Sequence, residues 1–318
     1  MWNYSFIVPN CFGLITFLFF YLMKPRLEVR IHNAFINTVV TEIALVIIDP
    51  ISSYLLEHIN SIPILILNFA NVCFFVLFIL RTYLFFALSC AIAKFKIEKN
   101  KVIMILALTV FSLGILLSLS NVFFSPIFKI TKSGYSRGFL YNIIYVIAFF
   151  YIFMSFGVVF LKRKKIAFWR VATVVLSNLI LLGGYVIRKV FPSYLVMDSF
   201  CLIVIIINYA AIDNFTFHLE GRTGVFNSKA LVDFLEEREG SSVKLIMGIG
   251  INNYGEMREI FGTMSMDMGI HMIGQYLKKT YPLLTVFYVS GGMFILVGEN
   301  GMVYESLKND IAERFKKP

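Results

Sequence analysis

Charge is what this sequence has least of. Asp, Glu, Lys and Arg make up 15% of its 318 residues, against about 25% in soluble domains. Cysteine is scarce too: Cys11, Cys73, Cys90 and Cys201 all lie in apolar runs, and no two form a C-x-x-C pair. That excludes a zinc ribbon and a disulfide framework, and leaves four small buried hydrophobes. The histidines, His32, His58, His218 and His271, are isolated from one another and from the cysteines. No metal-ligand spacing results, so no metal and no cofactor is expected. There is no internal repeat and no pair of interrupted apolar segments, the usual marks of a transporter.

Apolar residues fill the space that charge leaves. They are 58% of the chain, and the mean hydropathy is +0.79. The net charge of +10 is distributed unevenly. Residues 1–212 hold eighteen Lys and Arg against six acids, whereas residues 213–318 hold eleven against thirteen. The excess of cations therefore belongs to the apolar part, and the polar part offers no basic face to a nucleic acid. Two segments follow, a membrane module over 1–212 and a cytoplasmic domain over 213–318.

A membrane-spanning helix needs about 20 apolar residues. Seven runs qualify, near 4–23, 34–56, 62–93, 102–124, 140–161, 166–187 and 193–212. The first lacks a basic leader and a small-residue cleavage pattern before "KPRLEVR", which argues for a retained helix over a signal peptide. Loops after the first, third and fifth runs carry eleven cations, among them Lys24, Arg26, Lys94 and Lys162. The alternate loops carry five: Lys129, Lys132, Arg137, Arg188 and Lys189. This asymmetry predicts an outside amino terminus and a cytoplasmic carboxyl-terminal domain in a multi-pass protein of the cell membrane.

Several charged side chains fall inside the runs. Glu42 and Asp49, seven residues apart, share one helix face, Asp49 precedes Pro50, and Arg81 lies in the middle of the next run. Unpaired charges at that depth are costly, which makes Glu42 and Arg81 a candidate pair. Two readings stay open: a structural ion pair, or a sensing site for an extracellular or membrane ligand to which Asn68, Asn71 and Asp198 contribute. In a transporter the same residues would line a path.

After the last run the pattern changes. "SKALVDFLEERE" (228–239) has helical periodicity with a cap at Asn227 or Ser228. "VKLIMGIGIN" (243–252) predicts a strand, and "MDMGIHMIGQYLKKTY" (266–281) an amphipathic helix. "FYVSGGMFILVG" (287–298) predicts a hairpin turning at Ser290, Gly291 and Gly292, and "VYESLKNDIAERFKK" (303–317) a closing helix. The result is a small α/β layer with an antiparallel sheet.

The order of short signatures in this segment resembles the GGDEF domain of diguanylate cyclases, a nucleotidyl-cyclase palm-like fold, here truncated. The family opening D-x-L-T-G-L-x-N-R is answered by "EGRTGVFNS" (220–228). The strand end D-x-D-x-F-K and its sequel are answered by "GINNYGEMREIFG" (250–262), G-D-x-x-L by "MDMGI" (266–270), and R-x-G-G-D-E-F by "YVSGGMF" (288–294). The resemblance spans roughly residues 217–315. It implies a reaction that joins two GTP molecules with two divalent cations held by carboxylates.

The residues at those positions depart from the pattern. Gly250 stands for the metal-binding Asp, Asn252 offers only a neutral carbonyl, and Gly255 replaces a lysine. Tyr288 replaces the hairpin arginine, Ser290 the first glycine of the signature, and Gly292 and Met293 the acidic pair, while Gly291 and Phe294 are kept. The guanine-reading positions correspond to Arg258 and Asp267, and the product-binding R-x-x-D is "YPLL" (281–284). The resemblance thus implies a cyclase-like domain without catalysis, regulating or dimerising in cyclic di-GMP signalling. The chain stops about 24 residues after Phe294. GGDEF domains continue further, and members with degenerate signatures often precede an EAL phosphodiesterase domain, so a reading as the front of a longer enzyme is also open.

Overall fold

A computed structural model describes residues 2–23, 27, 29–131, 134–213, 219–238, 245–298 and 304–316. Lys24, Arg26 and Lys132 of the loop-charge argument lie outside the described residues, as do 214–218 of the connection between the two segments. The chain divides into two compact units, Met1–Arg26 with Arg30–Asp213, and Leu27–Val29 with Asn214–Pro318.

The first unit is helical: α1 (Ile7–Met23), α2 (Arg30–Glu57), α3 (Ile64–Ile92), α4 (Lys101–Phe124), α5 (Ile143–Lys162), α6 (Phe168–Val190) and α7 (Met197–Asp213). Helices α2 to α6 are long and apolar enough to cross a membrane, while α1 and the apolar part of α7 are shorter. In hydrocarbon only a helix satisfies its own backbone, so runs of Leu, Ile, Phe and Val without charge adopt this form. At 29 residues, α3 is roughly 44 Å long, and it packs against α2, α4, α5 and α6. Large apolar side chains such as Phe12, Phe123, Phe124 and Phe168 point outward, whereas Glu42, Asp49, Arg81, Asn178 and Asp198 are buried.

Helix α2 illustrates the inversion. Its buried positions recur every three or four residues from Phe35 to Ser53, and they include Thr38, Thr41, Glu42, Asp49 and Ser52. Pro50 lies within the helix, and Ser52 Oγ donates to Asp49 O at 2.9 Å. Helix α4 turns in only Ala107, Gly114, Ser118 and Asn121. A Cβ at Gly114 would come within 3.0–3.1 Å of Ile79 and Ile147, the close approach that small residues permit between membrane helices. Polar groups bridge the helices as well. Asn178 Nδ2 donates to Ser89 Oγ, Ser177 Oγ to Asn208 Oδ1, and Tyr151 OH to Ala107 O. The carbonyl of Ile92, at the end of α3, accepts from Arg170 at 2.9 Å.

Between α4 and α5 the chain forms a hairpin, β1 (Phe128–Thr131) and β2 (Gly134–Arg137), where only a loop was expected. Asn121 holds it: its Oδ1 accepts from Ile127 N and Phe128 N, and its Nδ2 donates to Phe128 O.

The second unit contains β3 (Phe226–Asn227), α8 (Ser228–Glu237), β4 (Leu245–Gly250), α9 (Tyr254–Thr280), β5 (Thr285–Tyr288), β6 (Met293–Gly298) and α10 (Tyr304–Lys316). Strand order is β3-β5-β6-β4. Strands β4 and β5 both run antiparallel to β6 between them, so α9 is a crossover around an inserted strand, a split βαβ unit. The sheet is mixed rather than purely antiparallel, because β3 pairs in parallel with β5. Alternation sends Val286, Tyr288, Phe294 and Leu296 to one face, with α9 and α10. Phe287 and Val297 go to the other, against Ala230 and Phe234 of α8 and against Leu27.

Helix α9 begins twelve residues before the expected helix at Met266. Gly262, at φ 78° and ψ 159°, separates an earlier segment from the expected one, a conformation that glycine adopts at low cost. Beyond the kink, Met264, Met268 and Met272 are exposed at helical spacing. At α8, Asn227 Oδ1 accepts from Ala230 N at 3.0 Å, which settles the capping residue. Asn227→Ala should cost about 1 kcal/mol, read as roughly fivefold faster hydrogen exchange of the α8 amides. Unchanged exchange would show that this cap is dispensable.

Candidate functional site

Two places gather polar chemistry, one in each unit. In the second unit, β4 ends at Gly250, opposite Met293 of β6. Ile251 N donates to Gly292 O at 3.1 Å, so the strand end and the hairpin tip are held together. Gly291 and Gly292 have φ of 57° and 78°, both left-handed, as a tight hairpin turn requires. Gly292 is buried beneath Tyr254, and its N–H donates to the Tyr288 hydroxyl at 3.1 Å. Burial raises the Tyr288 phenol above its ordinary value. Ser290, Gly291 and Asn252 are exposed, and Phe294 is wholly buried.

Beside the hairpin stands a polar cluster that the sequence reading did not assemble. Arg222 reaches Glu220 at 2.8 Å and Asp267 at 3.7 Å, and lies 5.8 Å from the Tyr288 ring centroid. The Glu220 carboxylate raises the Arg222 guanidinium above its ordinary value. His271 Nδ1 bonds to Arg222 O, and Gln275 Nε2 donates to Thr223 O. Arg258 stands exposed on the first segment of α9, so Asp267 pairs with Arg222 instead. No sequence signal marked Arg222, whose role depends on the turn at 221–223 folding back toward α9.

Strand end and hairpin therefore converge, but with Gly250, Gly292 and Met293 at the junction. A magnesium ion needs hard anionic oxygens, and the residues present do not fit one. Among the described residues, no three His, Cys, Asp or Glu side chains group as metal ligands. Asp267 is the one acid of the cluster on α9, and Arg222 already faces it.

The first unit carries a row of buried charges. Arg81 Nη1 lies 3.4 Å from Glu42 Oε1 and 3.1 Å from Asp198 Oδ1. Arg188 Nη2 donates to both oxygens of Asp49, at 2.9 and 3.1 Å, and its Nη1 to Tyr194 O at 2.9 Å. Arg188 also sits 5.6 Å from the Trp2 ring centroid. Glu42 pairs with Arg81 as the sequence suggested, and Asp198 shares that guanidinium. Asp49 has a partner that the sequence reading placed in a loop. Arg188 belongs to the last turn of α6 and turns inward, which leaves four cations in the alternate loops. Asn71 donates to Leu67 O in its own helix and lies outside this network's hydrogen bonds.

Three buried atoms at this cluster have no hydrogen-bond partner among the described residues: Glu42 Oε2, Arg81 Nε and Tyr185 OH. Tyr185 also lines a cavity of about 10 Å³, together with Thr82, Tyr151 and Asn178, about enough for one water. Near the amino terminus, Glu57 accepts from Trp2 N and the Tyr4 hydroxyl.

Comparison with known proteins finds no matching family model, no matching curated protein and no matching solved structure.

Proposed function

We propose that this chain is a membrane signalling protein. In this reading seven helices cross the cell membrane with the amino terminus outside, and the charged cluster of the membrane unit responds to a stimulus. The cytoplasmic α/β unit then conveys it as a degenerate GGDEF-like module that binds or regulates without catalysing. One observation carries the reading. The split βαβ unit pairs Gly250 with Met293 and bonds Ile251 to Gly292, so the positions that resemble the cyclase metal site meet in space and carry no carboxylate. Such a site lacks the charge to hold two cations against the α-phosphate of GTP. The loop cations, eleven against four once Arg188 is set aside, support the orientation.

Purified chain supplied with GTP and magnesium should form no cyclic di-GMP; measurable product would overturn the non-catalytic assignment. Coupling is tested by hydrogen exchange on the intact chain in lipid. Glu42→Gln should alter protection in 254–298, and a seven-residue Gly-Ser insertion after Asp213 should abolish that change. Identical exchange in all three proteins would sink the signalling reading, whereas a flux abolished by Glu42→Gln would favour transport.

A further inference from the structure

We propose that the cluster of Glu42, Asp198 and Arg81 binds one proton taken up from solution. Asp49 and Arg188 form a two-oxygen pair and neutralise each other. Arg81 is then the one guanidinium left to two carboxyl groups, Glu42 at 0% exposure and Asp198 at 3%. Arg170, the other buried cation among the described residues, lies eighteen residues before Arg188 on α6, roughly 27 Å along the helix, where it bonds Ile92 O. Two carboxylates on one guanidinium leave an uncompensated negative charge in a low-dielectric interior, which is strongly disfavoured. One proton removes it.

The unpartnered atoms point the same way. Ionised Glu42 is an acceptor only, and its Oε2 has no hydrogen-bond partner among the described residues. Protonation turns that oxygen into a donor and leaves Oε1 facing Arg81. A metal ion is a poorer fit, since the cluster supplies two carboxyl groups where hard cations take six or more oxygens. The groups that face Glu42 are Arg81 from α3, Asp198 and Cys201 from α7, and Tyr185 from α6. Asp49 and Arg188 stand next to Asp198. Helix α1, which packs on α2 and α7, carries buried Tyr21, bonded to His32 of α2. Among the described residues the one other guanidinium there, Arg188, is already engaged by both oxygens of Asp49, so the second carboxylate has no cation of its own. The inference does not depend on the signalling reading, because a proton would be bound in a sensor, a transporter or a purely structural cluster.

Infrared titration of the intact chain in lipid nanodiscs tests it. Near neutral pH the wild type should show a carboxylic acid C=O band that shifts in D2O. Glu42→Gln and Asp198→Asn should each abolish that band, because the remaining carboxylate is then balanced by Arg81. Glu57→Gln, at the exposed end of α2, should leave it in place. Absence of the band in the wild type, or its survival in either cluster variant, would overturn the proposal. Sodium binding in place of the band would do so too. If a variant fails to accumulate, the wild-type spectrum alone still decides.

Discussion

Arg81→Ala should remove most of the stability of the membrane unit. The guanidinium is 2% exposed and joins α3 to Glu42 of α2 and Asp198 of α7, so its loss strands two acids among apolar side chains. Breaking a buried ion pair from one side costs about 3–5 kcal/mol, comparable with the roughly 5–15 kcal/mol that holds a whole domain together. The deficit should shrink as pH falls, because protonated carboxyls no longer need a counter-charge, and widen as pH rises. Glu42→Gln, by contrast, keeps a balanced Arg81–Asp198 pair and should stay folded. The triple change Glu42→Gln, Arg81→Gln, Asp198→Asn should regain much of the lost stability, since an uncharged polar set carries no ion to desolvate. Thermal unfolding in nanodiscs at several pH values reads all three proteins. An Arg81→Ala protein that melts with the wild type would show that the cluster does not hold these helices together.

Gly292→Asp, which restores an acid to the hairpin, should damage the hairpin and return no catalysis. The residue has φ 78°, where a side chain costs about 1–3 kcal/mol. A Cβ there would also lie 2.6 Å from Tyr254 Cδ2 and 3.1 Å from Ile251 Cβ, and overpacking adds about 1–3 kcal/mol. Hydrogen exchange at 285–298 should therefore accelerate by well over tenfold. The neighbouring positions behave differently. Met293 is half-exposed in a strand, and a Cβ at Gly250 meets nothing within 4 Å. Gly250→Asp with Met293→Glu should fold, with two carboxylates opposed across a strand pair and repelling each other. Magnesium should raise the melting temperature of that double variant and leave the wild type unmoved. A Gly292→Asp protein as protected as the wild type would remove the claim that Tyr254 closes this site.

These two sites differ in how far the sequence revealed them. The hairpin was legible because its turn, Ser290-Gly291-Gly292 between apolar runs, is local chemistry. Its proximity to Gly250 follows once β4 and β6 pair. Asp49 shows the opposite case. Its place on the buried face of α2 could be read from a seven-residue spacing to Glu42. Its partner, 139 residues away, sits at a helix end where hydropathy marks a loop, because a long arginine stem can turn inward from the last turn. Arg222 was missed for a related reason: an exposed-looking cation in a turn carries no periodicity.

By itself the sequence determined the long apolar helices, the strand at 245–250, the hairpin at 285–298, the point where the apolar chain gives way to a polar domain, and which positions lack ionisable groups. The β1–β2 hairpin, β3 and the first segment of α9 were not legible in it. What was legible follows from residue type and short-range period, which act within a few residues. The tertiary structure decided the partners: Arg188 for Asp49, Asp198 as a second carboxylate on Arg81, Arg222 for Asp267, and Gly292 under Tyr254. Spacing places a residue on a face but does not name the helix opposite it, and that choice belongs to packing among segments far apart in the chain.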